Sequence, residues 1–374
     1  MPALELTGIV KRFKGEVVLD HVSLSVDPGE TLVLFGPSGA GKTVLLRLIA
    51  GVVAPEEGTV AIDGDDVTDV PPERRGVGMA FQNFALFPHM TAFDNIASPL
   101  HAQRAGKAAI RAGVDKVARL LKIDHVLGHA PRALSNGQKQ RTALARALAA
   151  SPHVLLLDDP LRNVDAKLRF EMRMELPRLL SGQGAAVLYV TQDYKEAMAL
   201  GDRIAVLSGG RLAQVGTPRQ IYLEPATIGI ARLFGDPSVN LLDVVPEADD
   251  AGPFARLSDM RLPLDPGLRA AVGSACVLGL RPEALRFADA AAPGAIPVTI
   301  EAETPLNEKT VTLVVTKRGR EILVSRPAGS PGPSEGPAHL MVTTGAALLF
   351  DRETGARIAP AAGGSQGIAG GAAA

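Results

Sequence analysis

Cysteine occurs once in the 374 residues, as Cys276, so no internal disulfide is possible. A reducing compartment fits, and the plain reading of this residue is a small buried apolar side chain. An excess of charge is also missing. Lys and Arg number 39 against 40 Asp and Glu, a formal net charge of −1. No global field draws the chain to nucleic acid or anionic lipid, so any membrane association needs a specific docking surface. Long apolar runs are absent too. The richest stretch, Val44–Val53, is broken by Arg47 and is about half of what a bilayer span requires. Acidic Glu5 stands early with no apolar core behind it, which reads as no signal peptide. The chain is expected not to cross a membrane by itself. What is present suffices for folded cores: 46% of residues are hydrophobic, and the length favours two domains.

Residues 4–10 and 17–26 alternate as strands around a Lys14-Gly15 turn. Thr31–Phe35 is a short apolar strand followed by a glycine-rich loop and the helical pattern Val44-Leu45-Leu46-x-Leu48-Ile49. Strand, glycine loop and helix open a mononucleotide-binding α/β domain. Helical spacing runs from Ala105 to Leu127. Further buried strands are expected at Val154–Leu157, Ala186–Val190 and Arg203–Leu207, joined by helices into a largely parallel sheet. The composition shifts near residue 236. Beyond it, Val311–Val315, a turn at Arg318-Gly319 and Ile322–Val324 form a hairpin pattern, read as a small antiparallel barrel of the OB type. Residues 327–337 read as a mobile loop, and the Ala/Gly-rich tail from 361 as disordered.

Gly36-Pro37-Ser38-Gly39-Ala40-Gly41-Lys42-Thr43 matches G-x-x-x-x-G-K-[ST] in full, after a strand and opening a helix. Its glycines let backbone N–H groups face phosphates at the positive end of a helix dipole. Lys42 would neutralise the β/γ-phosphates of ATP, and the Thr43 hydroxyl would bind Mg²⁺. Val154–Leu157 ends in Asp158-Asp159; alone this also reads as a turn, but beside the glycine loop it reads as a metal-holding Asp158 and a water-directed Asp159.

Leu134-Ser135-Asn136-Gly137-Gln138, followed by the helical stretch 139–150, closely resembles the LSGGQ signature of ABC ATPases. The resemblance implies that Ser135 and the backbone of Asn136, Gly137 and Gln138 contact the γ-phosphate bound on an opposing subunit. It also makes Gln82 a metal- and water-reaching Q-loop residue, Phe13 an adenine-stacking ring, and Asp165 the D-loop aspartate. The apolar residues after Gln82 resemble the groove that accepts a coupling helix of the membrane subunit. Residues 73–79, Phe234–Asn240, Leu280-Arg281-Pro282-Glu283 and Leu349–Gly355 resemble the carbohydrate-importer branch, which includes maltose and glycerol-3-phosphate ATPases. The expected organisation is an ATPase domain over 1–235 with a helical subdomain near 83–150, an OB-like regulatory domain over 236–360, and a tail. The resemblance implies a peripheral protein at the cytoplasmic face of the inner membrane. Its partners would be two permease subunits, a second ATPase subunit and an extracytoplasmic solute-binding protein, without nucleic acid. The implied activity is ATP-driven uptake of a sugar, polyol or glycerol-phosphate-like solute. Two other classes stay open: a soluble ABC ATPase, disfavoured by the lack of tandem cassettes, and a regulatory protein that binds nucleotide without hydrolysis.

Four positions depart from the family pattern near the γ-phosphate. The catalytic glutamate is Asp159, the switch histidine is Gln192, the first signature glycine is Asn136, and the D-loop serine is Arg162. Asp159 is one methylene short, retracting the carboxylate by ~1.5 Å. Gln192 can donate through its amide but cannot become cationic. Together these predict slow hydrolysis with binding preserved, and a non-identical ATPase partner that carries the active site.

Overall fold

The computed structural model describes residues 1–162, 164–181, 184–257, 260–290, 292, 294–343 and 345–361. The expected disordered tail lies outside the described residues, apart from Ala361. Contacts divide the chain into two units, Met1–Ile221 and Tyr222–Ala374, upstream of the composition shift near 236. Among the described residues, no helix is long and apolar enough to cross a membrane.

In the first unit, β1 (Leu4–Phe13) and β2 (Glu16–Val26) pair antiparallel. Lys14 and Gly15 both take positive φ, the geometry of a tight hairpin turn matching strand twist. β3 (Thr31–Phe35) is wholly buried and feeds the glycine loop and α1 (Lys42–Ile49). β4 (Glu57–Ile62) returns beside β1, and β5 (Asp65–Asp66) completes this small sheet in the order β2-β1-β4-β5. Arg75 is buried, and its guanidinium donates to the carbonyls of Leu48, Ile49, Thr68 and Val70 at 2.7–3.0 Å. Two of those acceptors are last-turn carbonyls of α1, of which Leu48 also accepts from the Gly51 N–H at 3.0 Å. Arg75 therefore locks the helix that carries Lys42.

After β6 (Val77–Ala80) come α2 (Ala92–Ala102), α3 (Lys107–Leu120) and α4 (Asn136–Ala149), then β7 (Val154–Asp158). The helical spacing expected to run on to Leu127 stops at Leu120, where Lys122 takes φ 55° and only a short 3₁₀ turn follows. The unit closes with α5 (Ala166–Ser181), β8 (Ala186–Thr191), α6 (Tyr194–Leu200), β9 (Arg203–Ser208) and β10 (Arg211–Gly216). The main sheet has the order β10-β9-β3-β8-β7-β6. The pairs β9/β3, β3/β8, β8/β7 and β7/β6 are parallel, and β10 alone runs antiparallel. Because β3, β8, β7 and β6 are parallel neighbours, the residues after each emerge at one edge, where α/β sheets place ligands.

The second unit is all-β and barrel-like apart from helix Ile228–Leu233 and short 3₁₀ turns. Strands Ile296–Pro305, Lys309–Thr316 and Glu321–Pro327 form a meander, and Gly336–Val342 pairs back on the first of them. Leu278, Val298, Val314 and Leu340 meet in one core. The loop expected over 327–337 is shorter: Pro327 pairs with Lys309, Gly336 with Ile300 and Pro337 with Thr299 at the ends of strands. Cys276 is buried in this core, and burial pushes its thiol up.

Candidate functional site

The shared edge of the main sheet carries an open cleft of about 270 Å³. The loop after β3 supplies Ser38, Gly39 and Gly41, and α1 supplies Lys42 and Thr43. Gln82 follows β6, Asp158 and Asp159 end β7, and Gln192 follows β8. Five chain segments spread from residue 38 to residue 192 thus converge on one space.

Two glycines of the loop are required by geometry. A Cβ on Gly36 would stand 2.2 Å from the Leu207 carbonyl oxygen. Gly41 takes φ +99° at the start of α1, and a Cβ there would meet the Val18 carbonyl at 2.9 Å. Lys42 is 6% exposed, and its Nζ donates to the carbonyls of Gly36 and Pro37, both at 2.7 Å. The loop's own carbonyls thereby hold the ammonium where terminal phosphates would lie. Burial pushes the Lys42 pKa down, against the opposing pull of Asp159 and Asp158.

Thr43 Oγ1 donates to Asp158 Oδ1 across 3.2 Å. Burial raises both Asp158 and Asp159 above the usual carboxylate range. Among the described residues no group of three or more His, Cys, Asp or Glu is arranged so that it could hold a metal ion. The donors around Thr43 are hydroxyl, carboxylate and the Gln82 amide, all hard oxygens and few. That set fits Mg²⁺, which keeps water and phosphate oxygens as most of its shell, and fits no all-protein metal cage.

Asp159 takes φ +45°, a left-handed conformation unusual for a side chain bearing Cβ. Its N–H donates to the Val190 carbonyl at 2.9 Å, and its carbonyl accepts from Arg162 N–H at 3.2 Å. Behind Gln192, the buried Glu196 carboxylate accepts from Tyr189 Oη at 2.9 Å and Thr191 Oγ1 at 2.8 Å. This network ties the end of β8 to α6 and so fixes the base of the loop that presents Gln192.

The other expected site residues stand apart from the cleft. Pro37 and Ala40 belong to the loop without lining it. Phe13 ends β1 with 44% exposure, and Lys11 Nζ lies 5.2 Å from its ring centroid. Ser135 caps α4: its Oγ accepts from Gln138 N–H, and its own N–H donates to Gln138 Oε1 at 2.9 Å. Asn136 and Gly137 form the exposed first turn, whose N–H groups suit an anion brought from outside the chain. Asp165 precedes α5 and accepts from Arg169 N–H through its carbonyl.

Arg162, expected near the γ-phosphate only as a departure from the family pattern, lines the cleft, as do Val18, Val44 and Val190, to which the sequence gave no site role. For Arg162 the signal was its spacing of three from Asp159 in a turn; the three valines carry none. A second, more apolar groove lies beside α2 and α4, lined by Met79, Phe81, Phe87, Pro99 and Arg146. Arg146 fixes its rim by donating to the Phe84 and Ala85 carbonyls, and its guanidinium stands 5.6 Å from the Phe87 ring centre.

Residues 19–162 match the model of the ABC transporter family. The sn-glycerol-3-phosphate import ATP-binding protein UgpC of Escherichia coli (strain K12) is 38% identical over 361 residues, covering 96% of this chain and 100% of that protein. The protein of the same name from Yersinia pseudotuberculosis serotype I (strain IP32953) is 38% identical over 368 residues, with the same coverage. Among solved structures, the dimeric post-hydrolysis state of the ATP-binding cassette MJ0796 bound to ADP and Pi is 31% identical. It superposes with a TM-score of 0.53 over 58% of this chain and 99% of that one.

Proposed function

The chain belongs to the ABC transporter family, and on that premise we propose that it is the ATP-binding subunit of an importer for a sugar, polyol or glycerol-phosphate-like solute. The observation that carries this reading is the division of the site. Lys42, Thr43, Gln82, Asp158, Asp159 and Gln192 share one cleft, while Ser135, exposed at the N-terminal end of the mostly buried α4, does not line it. A nucleotide site completed by a second ATPase subunit needs that arrangement. The full-length likeness to glycerol-3-phosphate import proteins supports the importer class and the solute range.

In this reading the glycine loop and Lys42 bind the ATP phosphates, and Thr43, Asp158 and Gln82 would hold Mg²⁺. When bound, the metal would supply charge neutralisation for the phosphates. Asp159 orients the attacking water and accepts its proton, while Gln192 donates an amide hydrogen bond toward the transferring γ-phosphoryl group, with ADP as the leaving group. Phe13 offers an exposed ring face for adenine, and Asp165 belongs to the subunit contact. The apolar groove around Phe87 receives a coupling helix from one permease subunit, which holds the chain peripherally at the cytoplasmic face of the membrane. A solute-binding protein outside delivers the cargo.

The departures at Asp159, Gln192, Asn136 and Arg162 favour one further element: this chain is the slowly hydrolysing half of a pair with a different ATPase subunit. The alternative is a homodimer with a slow base. Deleting the chain in its native host and measuring uptake of labelled glycerol-3-phosphate, polyols and sugars tests the assignment. Uptake of at least one of them should be lost and restored by the wild-type chain; unchanged uptake of all of them contradicts the importer reading.

A further inference from the structure

The turn after β7 brings a permanent cation into the cleft. The Asp159 carbonyl accepts from Arg162 N–H, and this closure folds the Arg162 side chain back over the preceding residues. Arg162 Nη1 lies 3.6 Å from Asp159 Oδ2. The carboxylate is 11% exposed and the guanidinium 51%. Both line the cleft, in which Lys42 and Arg162 are the cations among the lining residues. The loop backbone is fixed independently: Arg169 donates to the carbonyls of Leu161, Arg162 and Val164 at 3.2–3.3 Å. Arg162 therefore has a firmly held main chain and a side chain free to change partner.

At 3.6 Å the pair is looser than a charge-assisted hydrogen bond, whose N–O separation is about 2.7–2.9 Å. A half-exposed pair of this kind is weak and easily exchanged. A terminal phosphate offers more charge and three acceptor oxygens, and Arg recognises it through a planar fork that Asp159 does not fill here. Gln192, which also lines the cleft, offers only a neutral amide.

We propose that Arg162 gives this site its selectivity for a nucleoside triphosphate over a diphosphate, acting within its own chain. Without nucleotide it rests on Asp159, 3.6 Å away in the lining of the shared cleft. When a triphosphate enters, the guanidinium transfers to the terminal phosphate, which a diphosphate does not present at that depth. This rests on the reading of the cleft as an ATP site. The contact is made in the bound ground state, so it tightens ATP without by itself speeding cleavage. A site with Asp159 and Gln192 at the chemical step is thereby fitted to hold ATP.

The test is equilibrium binding of ADP and of a non-hydrolysable β,γ-imido ATP analogue, with magnesium, to the full chain and to Arg162→Ser, Arg162→Lys and Asp159→Asn. Arg162→Ser should weaken the analogue by about ten- to a hundredfold while ADP affinity stays within about twofold. Arg162→Lys should retain most of the selectivity. Asp159→Asn should tighten the analogue, and this gain should vanish when combined with Arg162→Ser. Equal losses for both nucleotides, or no loss for either, overturn the inference while leaving the ATP site standing. A wild-type chain that binds neither nucleotide removes the site and the inference with it.

Discussion

The Thr43 hydroxyl and the Asp158 carboxylate, 115 positions apart in sequence, are joined by a 3.2 Å hydrogen bond across the floor of the cleft. These are two of the residues that would hold a divalent cation beside bound phosphates. The bond is a consequence of parallel pairing. β3 and β7 run in the same direction on either side of β8, so the loop after one and the carboxylates after the other must meet.

Removing the charged or the metal-binding member should separate two functions. Lys42→Ala is expected to abolish ATP binding and transport. Thr43→Val keeps the shape but loses the oxygen, so ATP binding should survive and its dependence on magnesium should largely disappear. Titrating a fluorescent ATP analogue with and without the metal distinguishes the two. ATP affinity and uptake that both survive Lys42→Ala would refute the assignment of the cleft.

Hydrolysis should respond to restoration of the departed residues. The double change Asp159→Glu, Gln192→His lengthens the base by one methylene and returns an ionisable donor. Turnover of the purified chain should rise by about a hundredfold, since ~1 Å of misplacement or one lost donor each cost that order. Turnover unchanged by the double variant would show that the departures are drift.

The buried Glu196 should make stability depend on pH. Burial, reinforced by the charges of Asp193 and Asp159, raises its pKa above 4.5, and the hydrogen bonds from Thr191 and Tyr189 only partly oppose this. The folded form then holds the proton more tightly than the unfolded one. The resulting stability is complete below 4.5 and is lost as pH rises through the folded value. Glu196→Gln keeps the acceptor oxygen and removes the titration. Denaturant unfolding should show wild type gaining on the variant as pH falls from neutrality, by about 1.4 kcal/mol per unit of upward shift. A difference independent of pH would contradict the buried, uptitrated carboxylate.

The first unit should bind nucleotide on its own when cut at its structural boundary. A chain ending at Ile221 is expected to stay soluble and bind ATP as the full chain does. One ending at Gly235 would retain Ile228 and Ala231 without Val239, Leu348 and Phe350, against which they pack, and should aggregate more readily. Loss of ATP binding in a folded chain ending at Ile221 would refute the separation.

The local parts of this site were legible in the sequence because each is a short-range pattern. Thr31–Phe35 is a wholly buried strand, apolar from Leu32 onward, and the glycine spacing before Lys42 is dictated by backbone approach. The carboxylates after β7 follow the same logic. The pairing of β4 with β1 and the placing of β8 between β3 and β7 were not legible, since no local pattern encodes a partner that distant along the chain. Arg162 shows the limit most plainly. As a letter it reads as a departure from a pattern, and only the turn at Asp159 reveals that its charge faces the cleft.

The most direct test is to purify this chain from native membranes through a tag and identify what accompanies it, with ATP-driven solute uptake measured in reconstituted vesicles. The account predicts two membrane-spanning permease subunits, a pair of ATPase subunits, and uptake abolished by Lys42→Ala. A chain recovered without any membrane-spanning partner, yet binding ATP normally, would contradict it.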